Sequence, residues 1–158
     1  MNCSYSLSER EVIKAMQLHG KGSRKNLVIL ALTGTLLFAI GFSTGHRVLS
    51  IGGLIGGISG YYCVLFLLIP FNAKKQYRQN RAVRNEISMQ MEEQGITFKS
   101  ESGESRLQWR DIHKWKFTPG VYILYITNNM FHIVPAKALP NEQLFSGSLT
   151  EHIGPAKA

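Results

Sequence analysis

The sequence predicts a membrane α-helical hairpin joined to a small α+β domain, an antiparallel β-sheet or open barrel of about six strands closed by a C-terminal helix. Three observations predict it. Two uncharged stretches, 26–45 and 48–71, follow one another with only a short link between them. Basic residues crowd at the outer ends of these stretches. Beyond Asn85 the hydrophobic period becomes two, and it gives way to a helical segment after Pro140.

Residues 1–25 come first and read as a cytoplasmic segment built around an amphipathic helix. In "SLSEREVIKAMQLHG", Ser8 is placed to cap a helix and Glu11 completes a capping box three residues on. Gly20 is the expected stop. Val12 and Met16 share one side, with Ile13 beside them. Such a helix either lies on the inner leaflet or docks on the C-terminal domain, and its mixed charges favour docking.

The two apolar stretches are long enough to be membrane spans. Twenty residues from Asn26 to Gly45 make about 30 Å of helix, the thickness of a bilayer core. Val48–Phe71 supplies 24 more uncharged residues. The Thr44–Arg47 link forces the spans to run antiparallel. Lys21, Arg24 and Lys25 precede the first span and Lys74, Lys75, Arg78, Arg81 and Arg84 follow the second, whereas the turn holds only Arg47. Because Lys and Arg stay on the cytoplasmic side, both termini are expected there.

Small residues recur every four positions in both spans. Folding the chain at the link sets Ala39 opposite Gly52, Thr35 opposite Gly56 and Ala31 opposite Gly60, a register that predicts close helix packing. Gly53 and Gly57 form a second small stripe, available for a homodimer. Neither span contains Asp, Glu, Lys or Arg, which argues against an ion or proton pathway.

The formal net charge of +8 comes from the basic residues flanking the spans, and the region after Asn85 is almost neutral. That distribution speaks against nucleic acid and for an anionic membrane surface. Residues 72–85 are a basic juxtamembrane linker. Lys21, Arg24, Lys25, Lys74, Lys75 and Arg78 are the expected lipid contacts, with Arg81 and Arg84 meeting the following domain or solvent. Cys3 and Cys63 stand in unlike surroundings, so no disulfide is expected.

Residues 86–158 form the cytoplasmic domain. "EISMQM", "ITFK", "RLQW", "KWKF", "VYILYI" and "MFHIV" are strands separated by turn residues. Ile87, Met89 and Met91 share a face, as do Ile96 and Phe98, Leu107 and Trp109, and Trp115 and Phe117. "VYILYI" is apolar on both faces and therefore central. His132, between Phe131 and Ile133, is expected on the outer face. Asn141 caps the closing helix, whose Leu144, Phe145 and Leu149 are expected to face the sheet; Gly154-Pro155 ends it.

A sheet closed by one helix is the architecture of pleckstrin-homology-like domains. The two-span hairpin followed by "EEQGITFKSESGESRLQWRDIHKW" and "YILYITNNMFHIVPAKAL" resembles the YcxB-like bacterial membrane proteins. Gly95-Ile96 entering a strand, Trp109 followed by Asp111 and Ile112, the Tyr-rich strand, and "IVPAKAL" carry the resemblance. Ala136 separates Pro135 from Lys137, where the family places a basic residue after the proline. The resemblance implies a domain anchored in the inner (plasma) membrane of a bacterium and no defined chemistry.

His113 near Asp111, His132, and Glu151 beside His152 match no metal-ligand spacing, and no serine or cysteine lies in a nucleophile context. No catalytic residue, metal or cofactor is expected. The expected function is a non-enzymatic, membrane-anchored interaction module with an unidentified protein partner, met at the membrane surface. The alternative is a small immunity or inhibitor protein that neutralises a toxin.

Overall fold

The computed structural model describes residues 1–21, 24–45 and 47–157. All six expected strands form, and a seventh precedes them. One sheet has the order β1 (Asn2–Tyr5), β2 (Ile87–Glu92), β3 (Gly95–Ser100), β4 (Gly103–Gln108); the other is β5 (Lys114–Thr118), β6 (Val121–Tyr125), β7 (Phe131–Pro135). Every pairing is antiparallel. The expected single sheet or barrel is therefore two sheets, and it does not close. The break lies at Trp109–Asp111, a single tight helical turn between β4 and β5. The Gln108 backbone N–H donates to the Asp111 carboxylate at 3.0 Å, which caps this turn and takes the chain out of the first sheet.

Gly95 enters β3 where the backbone of Leu107 and Gln108 lies so close that no Cβ fits, with φ at +157°. This is the physical reason for glycine in the Gly95-Ile96 pair. Met89, Ile96, Phe98 and Leu107 then reach a core shared with Trp115, Tyr122, Leu124 and Val134 of the second sheet. Strand β6 is central and buried along its whole length.

Helix α6 (Glu142–Ile153) closes this core with Phe145 and Leu149. Asn141 Oδ1 accepts from the Leu144 N–H at 2.9 Å, the expected cap. Leu144 itself is 49% exposed and does not face the sheet. Phe145 and Leu149 lie four apart on one face, and Leu144 lies 100° round the helix from Phe145. Trp109 packs at the edge of the core, stacked on His152 at 4.7 Å, and donates its indole N–H to the Glu93 carbonyl.

The N-terminal segment is part of the domain. Strand β1 adds to β2, with Tyr5 opposite Ile87. Helix α1 (Glu9–Lys21) starts with the expected capping box: the Ser8 N–H and hydroxyl both donate to the Glu11 carboxylate, at 2.8 and 2.7 Å. It runs to Lys21, one residue past the expected stop at Gly20. Helix α1 lies between the second sheet and helix α4 (Ile69–Gln79). Ala15 covers Val121, Ile123 and Tyr125 on the face of the sheet turned away from the main core. Trp115 and Phe117 share a face of β5 as expected, both packing on the Tyr122 ring, yet Phe117 is 43% exposed while Lys116, on the face that α1 covers, is only 6% exposed.

Helices α2 (Arg24–Ser43) and α3 (Arg47–Cys63) pack side by side. Helix α3 continues through a π-helical stretch, Val64–Leu68, into α4. Among the described residues, Ile51–Gln79 is long and apolar enough to cross a membrane; the apolar part described in α2, Leu32–Ser43, is shorter. The packing register differs from the expected one. Gly52, Gly56 and Gly60 face open space, and Thr35 and Ala39 are exposed. Gly53 instead meets Leu37, whose Cβ lies 2.9 Å from where a Gly53 Cβ would stand, and Gly34 and Gly41 are buried. Gly34, Leu37 and Gly41 are three and four apart, one helical face; Thr35 and Ala39 lie on another. The side chains of Ala31, Lys21, Arg24, Lys25 and Arg81 lie outside the described residues.

Candidate functional site

Helix α4 and the short helix α5 (Arg81–Arg84) stand off the edge of β7 and leave a cleft of about 740 Å³. Leu7, Val12, Met16, Tyr77, Ile87 and Ile133 give it apolar walls, and the amides of Gln76, Gln79 and Asn129 stand among them.

The walls are tied together by the N-terminal segment. Tyr77 on α4 donates its hydroxyl to the Leu7 carbonyl at 2.9 Å. Glu9 on α1 pairs with Lys74 at 3.2 Å and with Arg78 at 3.6 Å. Glu11 pairs with Lys137, just beyond β7, at 2.9 Å. Lys74 and Arg78, expected at lipid, thus meet a carboxylate of α1, while both side chains stay substantially exposed; Lys75 is exposed on the same helix.

The floor of the cleft is the outer edge of β7. Ile126 N–H donates to the Met130 carbonyl at 2.9 Å. The antiparallel alternation from that pair turns the backbone groups of His132 and Val134 toward β6 and those of Phe131 and Ile133 outward. Tyr5 confirms the direction for Ile133, since its hydroxyl donates to the Ile133 carbonyl from outside the ladder at 3.1 Å. Pro135, which has no N–H, occupies another outward position.

His132 is not on an outer face. Its ring stacks on Phe98 of the first sheet, with centroids 4.3 Å apart and planes 2° from parallel. It lines this cleft and a smaller one beside β3 and β4. Burial holds its pKa below the usual imidazole value. His113 is exposed and contributes its backbone N–H to the Tyr125 carbonyl at 2.8 Å. Among the described residues no three His, Cys, Asp or Glu side chains are placed to hold a metal ion.

Neither β1 nor the cleft is legible in the sequence. "NCSY" does alternate, and Cys3 and Tyr5 face the core. Four residues at a chain end carry too little pattern to announce a strand. The cleft depends on how α4 stands against β7, which no local pattern encodes.

Residues 92–145 match the family described as YcxB-like protein. The match runs from the end of β2 into the first turn of α6 and covers about a third of the chain. No curated protein and no solved structure matches the chain.

Proposed function

We propose that this chain carries its YcxB-like domain on a two-span membrane anchor and is a non-enzymatic module that takes an extended polypeptide segment into the cleft beside β7. The outward edge of β7 inside an apolar cleft carries this reading. The outward edge offers the Phe131 backbone and the Ile133 N–H to an added strand, the Ile133 carbonyl already accepting from Tyr5, and apolar walls offer places for alternate side chains.

Connectivity supports the two-span form of the anchor. Strand β1 pairs with β2, and α1 packs on α4, so residues before α2 and after α3 belong to one body. A chain that leaves this body along α2 and returns along α3 crosses a bilayer an even number of times. Leu32–Ser43 and Ile51–Gln79 supply the apolar surface for two crossings, and the basic residues at their outer ends favour the cytoplasmic side of a bacterial inner membrane for the folded body.

A photo-reactive residue at Met130, in the cleft, tests the reading in intact cells against one at Lys99, on β3. Crosslinks to a polypeptide from position 130 only, lost when Ile133→Pro removes the outward N–H that strand addition uses, are expected. Equal crosslinking from both positions, or crosslinks that survive Ile133→Pro in a folded variant, would sink it.

A further inference from the structure

The face of the second sheet covered by α1 carries two lysines. Lys114 and Lys116 are two apart on β5 and so project from the same face, opposite Tyr125 and Ile123. Lys114 Nζ lies 4.9 Å from the centre of the Tyr125 ring and 3.1 Å from Asn128 Oδ1. Lys116 is only 6% exposed as a whole residue, and its Nζ, which has no hydrogen bond or ion pair among the described residues, reaches the surface. An ammonium group whose stem is covered but whose tip reaches the surface without a counter-charge is open to an anion.

The His19 ring closes the same place from α1. Its Nδ1 is 3.2 Å from the Tyr125 hydroxyl, and its ring packs on Tyr125 and Phe131 with centroids 5.8 and 5.1 Å away. Burial pushes the Tyr125 phenol up to about 12, so the hydroxyl stays neutral. In the tautomer whose Nδ1 accepts from that hydroxyl, a neutral imidazole carries its proton on Nε2 and has a donor to give. Burial first, and then the charges of Lys114 and Lys116, hold the His19 pKa down; burial and Lys114 do the same to Lys116. No carboxylate contributes to either effect.

The level of this cluster is set by α1. Gln17 donates to the Leu65 carbonyl at 3.3 Å, and Gly20 lies against Ile69. His19 therefore stands beside the last turns of the apolar helix, before its first charge at Lys74. Along the strand from Lys116, Thr118 and Pro119 face Leu65 and Phe66 across a cleft of about 340 Å³ that Lys14 also lines. A phosphate group in the interfacial layer of a bilayer would lie at this height.

We propose that Lys114, Lys116 and His19 form a nook for the phosphate of an anionic phospholipid headgroup. The proposal rests on the membrane-anchor reading. It departs from the basic run after the second span, because Lys74 and Arg78 already hold Glu9.

The test uses the full chain reconstituted in phosphatidylcholine vesicles with and without phosphatidylglycerol, then extracted in mild detergent and examined by native mass spectrometry. Wild type is expected to retain phosphatidylglycerol over phosphatidylcholine. Lys114→Gln with Lys116→Met should reduce that retention about tenfold, while Lys75→Gln leaves it unchanged. Unchanged retention in the double variant, or an equal loss in Lys75→Gln, overturns the proposal. If Lys116→Met does not fold, Lys114→Gln alone decides in the same way. Millimolar inorganic phosphate that shifts the His19 NMR signals as fully as phosphatidylglycerol does would point to a soluble phosphate and overturn the lipid assignment. A chain that washes off neutral vesicles defeats the anchor and this proposal with it; a chain that stays on them without lipid preference defeats this proposal alone.

Discussion

His132 shows how one side chain joins the two sheets. It belongs to β7 yet stacks on Phe98 of β3, bridging a gap that no backbone ladder crosses. The contact suits a neutral ring, because protonation would place a charge where burial disfavours it. The folded pKa lies below the reference value of 6.5, so at pH below 6.5 the unfolded chain binds the proton first. Stability is then complete above pH 6.5 and falls as the pH drops toward the lowered folded pKa. His19 is shifted in the same direction and adds to the slope. His132→Phe keeps an aromatic ring on Phe98 and removes one of these protons. Chemical denaturation between pH 7.5 and pH 5 is expected to show a shallower loss in the variant than in wild type; parallel curves would refute the assignment.

At the level of elements, the hairpin packs by a different stripe from the one that simple folding at the link predicts. Apolar residues surround both helices, so hydrophobic patterning does not choose the contact face, and the rotation of each helix decides it. Gly53 faces Leu37, and Gly56 faces open space. Gly53→Leu should cost about 1–3 kcal/mol by overpacking, and Gly56→Leu should cost less than about 1 kcal/mol. Thermal melts in detergent, with Leu67→Ala as an outward-facing control, separate the two. A larger loss in Gly56→Leu would restore the register of Ala39 with Gly52 and Thr35 with Gly56. Helix α1 shows a related effect on charge. The sequence shows Lys74 and Arg78 following an apolar run, but not that α1 returns to set Glu9 beside them. Both pairs are exposed and weak, so they orient α1 more than they stabilise it.

For the whole molecule, the decisive feature is that the chain's two ends fold together. Strand β1 completes the first sheet and α1 covers the second, so the helical hairpin is an excursion from one domain. Cysteine labelling reads this topology directly. In a chain with Cys3 and Cys63 replaced by serine, an impermeant maleimide added to intact cells should label Thr44→Cys and not Glu101→Cys. After the cells are opened, both should react. Labelling of Glu101→Cys from outside, or of neither site before lysis, would contradict an anchor with both termini in the cytoplasm.

Strand positions, the α6 cap and the α1 capping box were legible in the sequence because they depend on neighbours within a few residues. Alternation gives β2 to β5, short apolar runs between turn residues give β6 and β7, and an oxygen-bearing side chain before a helix gives its start. The YcxB-like segment was legible for the same reason, since its Gly95-Ile96 pair answers to a close backbone approach within one hairpin. Only the tertiary structure decided that the strands divide into two sheets, that β1 exists, that Lys116 is buried and Phe117 is not, and which glycine the helices share. Each of these depends on how one element packs against another. A local pattern can mark a face as apolar, but it does not say which surface comes to cover that face.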